Sequence, residues 1–119
     1  MIVDHELSSL ELLEEYINDT SFFKLIGKCS NALEAIEIMN DHQIDLLFLD
    51  IHLPDLNNKD FSRMLKNGPR IILTTTLKEY AFIGFRANAL DCLLKPINYE
   101  TFLKVSYKAK GWFQSAAKL

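Results

Sequence analysis

The sequence predicts an α/β fold, a doubly wound parallel sheet of five strands with helices on both faces. Two observations carry that reading. Five short apolar runs alternate with five stretches of helical periodicity, the pattern of βα units and a parallel sheet. The central run, 46–49, is unbroken Leu-Leu-Phe-Leu, too short for a buried helix and suited to a strand covered on both faces. With no repeat or low-complexity segment, the 119 residues make one domain, 1–119, with a single core.

Taken in order, residues 1–3 form a clipped first strand ended by Asp4-His5-Glu6. Ser8 with Glu11 has the spacing of a capping box for a helix running to about Asn18, with Leu10, Leu13 and Ile17 on one face. Residues 22–29 read as a second strand, with Gly27 weakening its interior. Asn31 starts a second helix with Ala32, Ala35, Ile36 and Met39 as its buried stripe. The central strand follows, then Asp50 and a turn-forming loop, 53–58. A short helix with Phe61 and Leu65 inward ends at Gly68-Pro69. A fourth strand, 70–76, closes on three threonines, and a fourth helix covers 78–87, with Leu77, Ala81, Gly84 and Phe85 inward and Phe82 outward. The fifth strand, 89–94, ends at Lys95-Pro96. Asn98 caps the last helix, which carries Tyr99, Phe102 and Leu103 and reaches Trp112-Phe113, two aromatics expected at the surface.

Composition narrows the function. Net charge is −3 and lysine and arginine form no cluster, which argues against nucleic-acid binding by this chain. No apolar run is long enough to cross a membrane, and the start is no signal peptide. Two cysteines are too few for a disulfide scaffold, so a reducing cytoplasm is expected. The three histidines and two cysteines show no zinc-ligand spacing, His5 reads as a polar rim residue and Cys92 as a small buried hydrophobe.

Parallel strands bring their carboxyl ends to one edge. Asp4, Asp50, Thr75 and Lys95 each sit at such an end, and in the flavodoxin-like order 2-1-3-4-5 these ends are neighbours at the switch point. Each alone is an ordinary strand-end polar residue; four in register are a site. Two adjacent carboxylates call for a cation, oxygen donors suit Mg²⁺, and a hydroxyl with an ammonium complements a phosphoryl group. A carboxylate so placed can be the nucleophile that forms an acyl phosphate.

Val3-Asp4, the run from Phe48 through Asp50 to Pro54, Leu73-Thr74-Thr75 and Leu93-Leu94-Lys95-Pro96 together resemble the signatures of response-regulator receiver domains. The stretches 74–81 and 88–96 are most similar to the LytR/AlgR branch. The resemblance implies roles. Asp50 would accept a phosphoryl group from a histidine kinase. Asp4, Asp50 and the backbone carbonyl of His52 would hold Mg²⁺. Lys95 would contact the phosphoryl group, Thr75 would move to hydrogen-bond it, and the bond before Pro96 would be cis. A DNA-binding output domain and a homodimer through the fourth and fifth helices would complete the regulator. Four departures from the family pattern stand out. His5 replaces an acid beside Asp4 and is a poor Mg²⁺ ligand, while Glu6 would point away from the pocket. Cys92 replaces the aromatic switch residue, Asn58 a common glycine, and the first strand is short. Two readings follow: a phosphoacceptor receiver, and a pseudo-receiver that binds partners without phosphorylation. A hydrolase using Asp50 would want an acid where His52 stands.

Overall fold

The structure, a computed structural model, describes residues 1–77 and 89–117. The helix expected over 78–87, with Phe82, lies outside the described residues. The others form β1 (Ile2–Val3), α1 (Leu7–Asn18), β2 (Lys28–Cys29), α2 (Ala32–Asp41), β3 (Leu46–Asp50), α3 (Lys59–Asn67), β4 (Arg70–Thr75), β5 (Ala89–Leu94) and α4 (Tyr99–Ala117). All the strand pairs are parallel, in the order β2-β1-β3-β4-β5.

Alternation along β3 explains why the chain needs two layers of helix. Leu47 and Leu49 join Val3, Ile71 and Leu73 in one core, closed by Ala32 and Ala35 of α2 and Phe61 and Leu65 of α3. Leu46 and Phe48 join Ile2, Ile72 and Leu93 in the other, closed by Leu10, Leu13 and Ile17 of α1 and Phe102, Val105 and Ala109 of α4. A strand side chain buried on either face is worth about 1.5–3 kcal/mol, so every residue of β3 holds its neighbours in place.

Several local expectations are corrected. The first helix starts before the Ser8–Glu11 box, with Glu6 at its N-cap and no side-chain cap. The reason is Asp4, whose Oδ1 accepts the backbone N–H of Glu6 at 2.9 Å and turns the chain immediately. The second strand shrinks from 22–29 to two residues. Thr20 and Phe23 close a turn, and Phe22 and Phe23 spend their apolar surface on Tyr107, Phe48 and Phe102 instead of on a ladder. Asn58 caps α3 by accepting from the N–H groups of Asp60 and Phe61, at φ −53° and not in the left-handed region. Leu77 is 39% exposed and does not face inward. Trp112 and Phe113 are half-buried: Phe113 packs on the α1/α4 core, and Arg70 lies over the Trp112 ring at 4.1 Å. Asn31 and Asn98 cap as their positions suggest, each accepting a backbone N–H in the first turn.

Candidate functional site at the carboxyl edge of the sheet

The register of β1, β3 and β5 brings Asp4, Asp50 and Lys95 into one pocket. Backbone hydrogen bonds fix each strand end: Asp4 N–H to Cys29 O at 3.1 Å, Ile51 N–H to Thr74 O at 3.1 Å, and Lys95 N–H to Thr75 O at 2.7 Å. The loop after Lys95, which begins with a cis Lys95–Pro96 peptide, is tied to α1 by the Tyr16 hydroxyl donating to Ile97 O at 3.0 Å. The loop after Asp50 is tied to α2, whose Ala32 N–H donates to Asp55 Oδ1 at 2.8 Å.

Asp4 and Asp50 are fully buried. Lys95 Nζ lies 2.8 Å from Asp4 Oδ2 and 3.9 Å from Asp50 Oδ2. Its third partner is Glu6, at 2.7 Å. Extended backbone after Asp4 would point Glu6 away from the pocket. The turn made by Asp4 brings Glu6 back, and three carboxylates share one ammonium. His5 Nδ1 contacts Asp50 Oδ2 directly, and the backbone N–H of His52 donates to Asp50 Oδ1 at 2.9 Å.

These contacts push the two acids in opposite directions. Burial works against the ionised form of Asp50, but the N–H of His52, the His5 imidazole and the charge of Lys95 outweigh it and hold its carboxyl below the usual range. Burial dominates at Asp4 and raises its carboxyl above the usual range despite Lys95 and the Glu6 N–H. Lys95 is raised too, because Asp4 and Glu6 outweigh the cost of burying its charge. The two neighbouring acids are therefore shifted in opposite directions, Asp50 toward easier ionisation and Asp4 away from it.

Thr75 is buried at the end of β4, and its hydroxyl is engaged twice. It meets His52 Nε2 at 2.9 Å and accepts the N–H of Leu77 at 3.0 Å. The sequence places the His52 side chain where a hydrolase would want an acid but gives no sign of its contact with Thr75. Cys92 pairs in register with Leu73 and packs, half-buried, against the α2/α3 core.

Asp4, His5 and Asp50 each present a ligand atom within 4.8 Å of the other two. Two of the donors are carboxylate oxygens and the third is an imidazole nitrogen. Mg²⁺ wants near-octahedral oxygen at short distance, and His5 Nδ1 stands on Asp50 where an oxygen would serve it. Asp4 and Asp50 supply the one or two carboxylates that Mg²⁺ takes from protein, and the His5 imidazole is the donor that does not suit it.

A family model described as a response regulator receiver domain matches residues 1–106. The chain is 38% identical over 106 residues to an uncharacterized response regulatory protein of Yersinia pestis, covering 87% of this chain and 44% of that one. It is 37% identical over 100 residues to the transcriptional regulatory protein BtsR of Escherichia coli strain K12, covering 82% of this chain and 42% of that protein. It thus spans less than half the length of these relatives. Its structure superposes on the response regulatory domain of protein mrkE from Klebsiella pneumoniae with a TM-score of 0.79 at 26% identity, covering 95% of this chain and 96% of that one.

Proposed function

Since the chain belongs to the response regulator receiver family, we propose that Asp50 is its phosphoacceptor in two-component signalling. The observation that carries this reading is the state of Asp50: a buried carboxylate held ionised at the end of the central strand, with Lys95 Nζ 3.9 Å away. A carboxylate oxygen of Asp50 attacks the phosphorus of a phosphohistidine on the kinase. The oxygen–phosphorus bond forms, the phosphorus–nitrogen bond breaks, and the departing imidazole takes a proton from solvent. Lys95 neutralises charge on the transferred oxygens. Thr75 is the hydroxyl partner of the phosphoryl group, and His52, whose Nε2 stands 2.9 Å from that hydroxyl, is placed to feel its movement. The domain takes the group on its own side chain and turns over no external substrate.

The partners are a histidine kinase and an output domain of the LytR/AlgR type, through which the regulator would act on DNA. The same reading puts the domain in the reducing cytoplasm. Dimerisation through the helix expected over 78–87 and the last helix belongs to it as well.

The test is intact mass after incubation with acetyl phosphate in Mg²⁺, Mn²⁺ and Co²⁺ separately, beside Asp50→Ala. A phosphoryl adduct on the parent and none on the variant is expected. Absence of the adduct with every cation, in protein shown folded by circular dichroism, overturns the reading. The pseudo-receiver would then stand, favoured by the His5–Asp50 contact and by Cys92 in the place of an aromatic switch residue.

A further inference from the structure

The geometry points to a divalent cation of the borderline kind, such as Zn²⁺ or Co²⁺, bound by Asp4, His5 and Asp50, in preference to Mg²⁺. This inference deepens the receiver reading and rests on the same pocket. No zinc-like spacing shows in the sequence, because the ligands come from two strands 45 residues apart that meet only in the parallel sheet.

Three facts support it. First, the donors already converge. Metal–nitrogen and metal–oxygen distances near 2.1 Å allow two ligand atoms to stand about 4.2 Å apart at most, and here all three lie within 4.8 Å of one another. His5 Nδ1 rests directly on Asp50 Oδ2, closer than two ligands of one ion stand, and His5, whose side chain is 39% exposed, has the freedom to swing off Asp50 and admit the ion between them. Second, the pocket is short of positive charge. Three carboxylates face a single ammonium, and Asp4 Oδ2, fully buried, meets Lys95 without an aligned hydrogen bond. Third, the chemistry discriminates. One imidazole with two carboxylates and an open position is a donor set that zinc and its neighbours accept, whereas imidazole adds little for Mg²⁺.

The experiment measures binding with no phosphoryl donor present. Co²⁺ titrated into the full chain is followed by its visible d–d absorption, and Mg²⁺ and Zn²⁺ by calorimetry, in the parent, His5→Ala and His5→Asp. Any site prefers Co²⁺ to Mg²⁺ to some degree, so the variants decide. Expected is a Co²⁺ spectrum in the parent and a loss of at least about tenfold in Co²⁺ affinity in His5→Ala, the lower end of what losing even a ligand's outer partner costs. His5→Asp should narrow the preference for Co²⁺ over Mg²⁺ by a similar factor. Equal Co²⁺ affinity in parent and His5→Ala, or Mg²⁺ bound as tightly by the parent as by His5→Asp, overturns the inference. Because phosphorylation is read separately by mass, a His5-dependent Co²⁺ site with no adduct would overturn only the phosphoacceptor reading. An adduct with no such site would overturn only this one.

Discussion

Asp4 is the residue at which function and stability pull hardest against each other. Its carboxyl is buried and raised above the ordinary range, chiefly by loss of water. A group that holds its proton more tightly when folded than when unfolded weakens the fold as pH rises through the interval between the two values. Asparagine at this position keeps the Oδ1 acceptor used by the Glu6 N–H and carries no charge at any pH. Asp4→Asn is therefore expected to be more stable than the parent at pH 7, with the difference shrinking as the pH is lowered through the acidic range. Urea unfolding at a series of pH values reads this directly. A variant less stable than the parent at neutral pH would mean that the Lys95 ion pair outweighs burial. The same residue shows where sequence reading stops. Asp4, Asp50, Thr75 and Lys95 could be brought together from strand order alone. Glu6 could not, because its place depends on a two-residue turn made by the Asp4 side chain, and the His52 imidazole could not, because nothing in the sequence says which strand end it meets.

Elements were legible to the extent that their pattern comes from burial. Alternation of apolar runs with helical periodicity located the described helices and strands, since each pattern is the trace of a buried face. Residues 22–27 misled because aromatic packing produces the same apolar run as a strand without needing a ladder. An asparagine before the periodic stretch marks the cap correctly at Asn31 and Asn98, whereas Ser8 has the right spacing two residues too late, the N-cap being Glu6. These two kinds of position should respond differently to mutation. Asn31 accepts the Glu34 N–H at 2.9 Å, so Asn31→Ala should cost about 1 kcal/mol. Ser8 is exposed inside α1 and caps nothing, so Ser8→Ala should be neutral or slightly stabilising, alanine being the better helix former. Chemical denaturation midpoints of the two variants at fixed m-value separate these outcomes. A cost at Ser8 equal to that at Asn31 would restore the capping box.

At the scale of the whole molecule, one sheet separates two cores, and the site depends on both. Phe61 fills the α2/α3 side and Phe102 the α1/α4 side, each fully buried. Phe102 gathers Tyr16, Phe23, Phe48 and Tyr99 around it. Truncating either to alanine should cost about 3–5 kcal/mol, a large part of the roughly 5–15 kcal/mol that holds a domain together. The question is whether the cores melt separately. β3 is shared by both, and its side chains alternate between them, so neither layer of helices can leave without exposing a strand that the other still needs. Phe61→Ala and Phe102→Ala should therefore each lower the midpoint of a single transition. Far-ultraviolet circular dichroism follows the helices of both layers, while fluorescence of Trp112, the one tryptophan in the sequence, reports from α4 and its contact with Arg70 at the start of β4. The two signals should coincide in both variants, as two-state unfolding requires. If Phe61→Ala lost ellipticity before Trp112 responded, the α2/α3 layer would be a unit of its own. A signal arriving at Asp50 could then loosen one face of the sheet without the other.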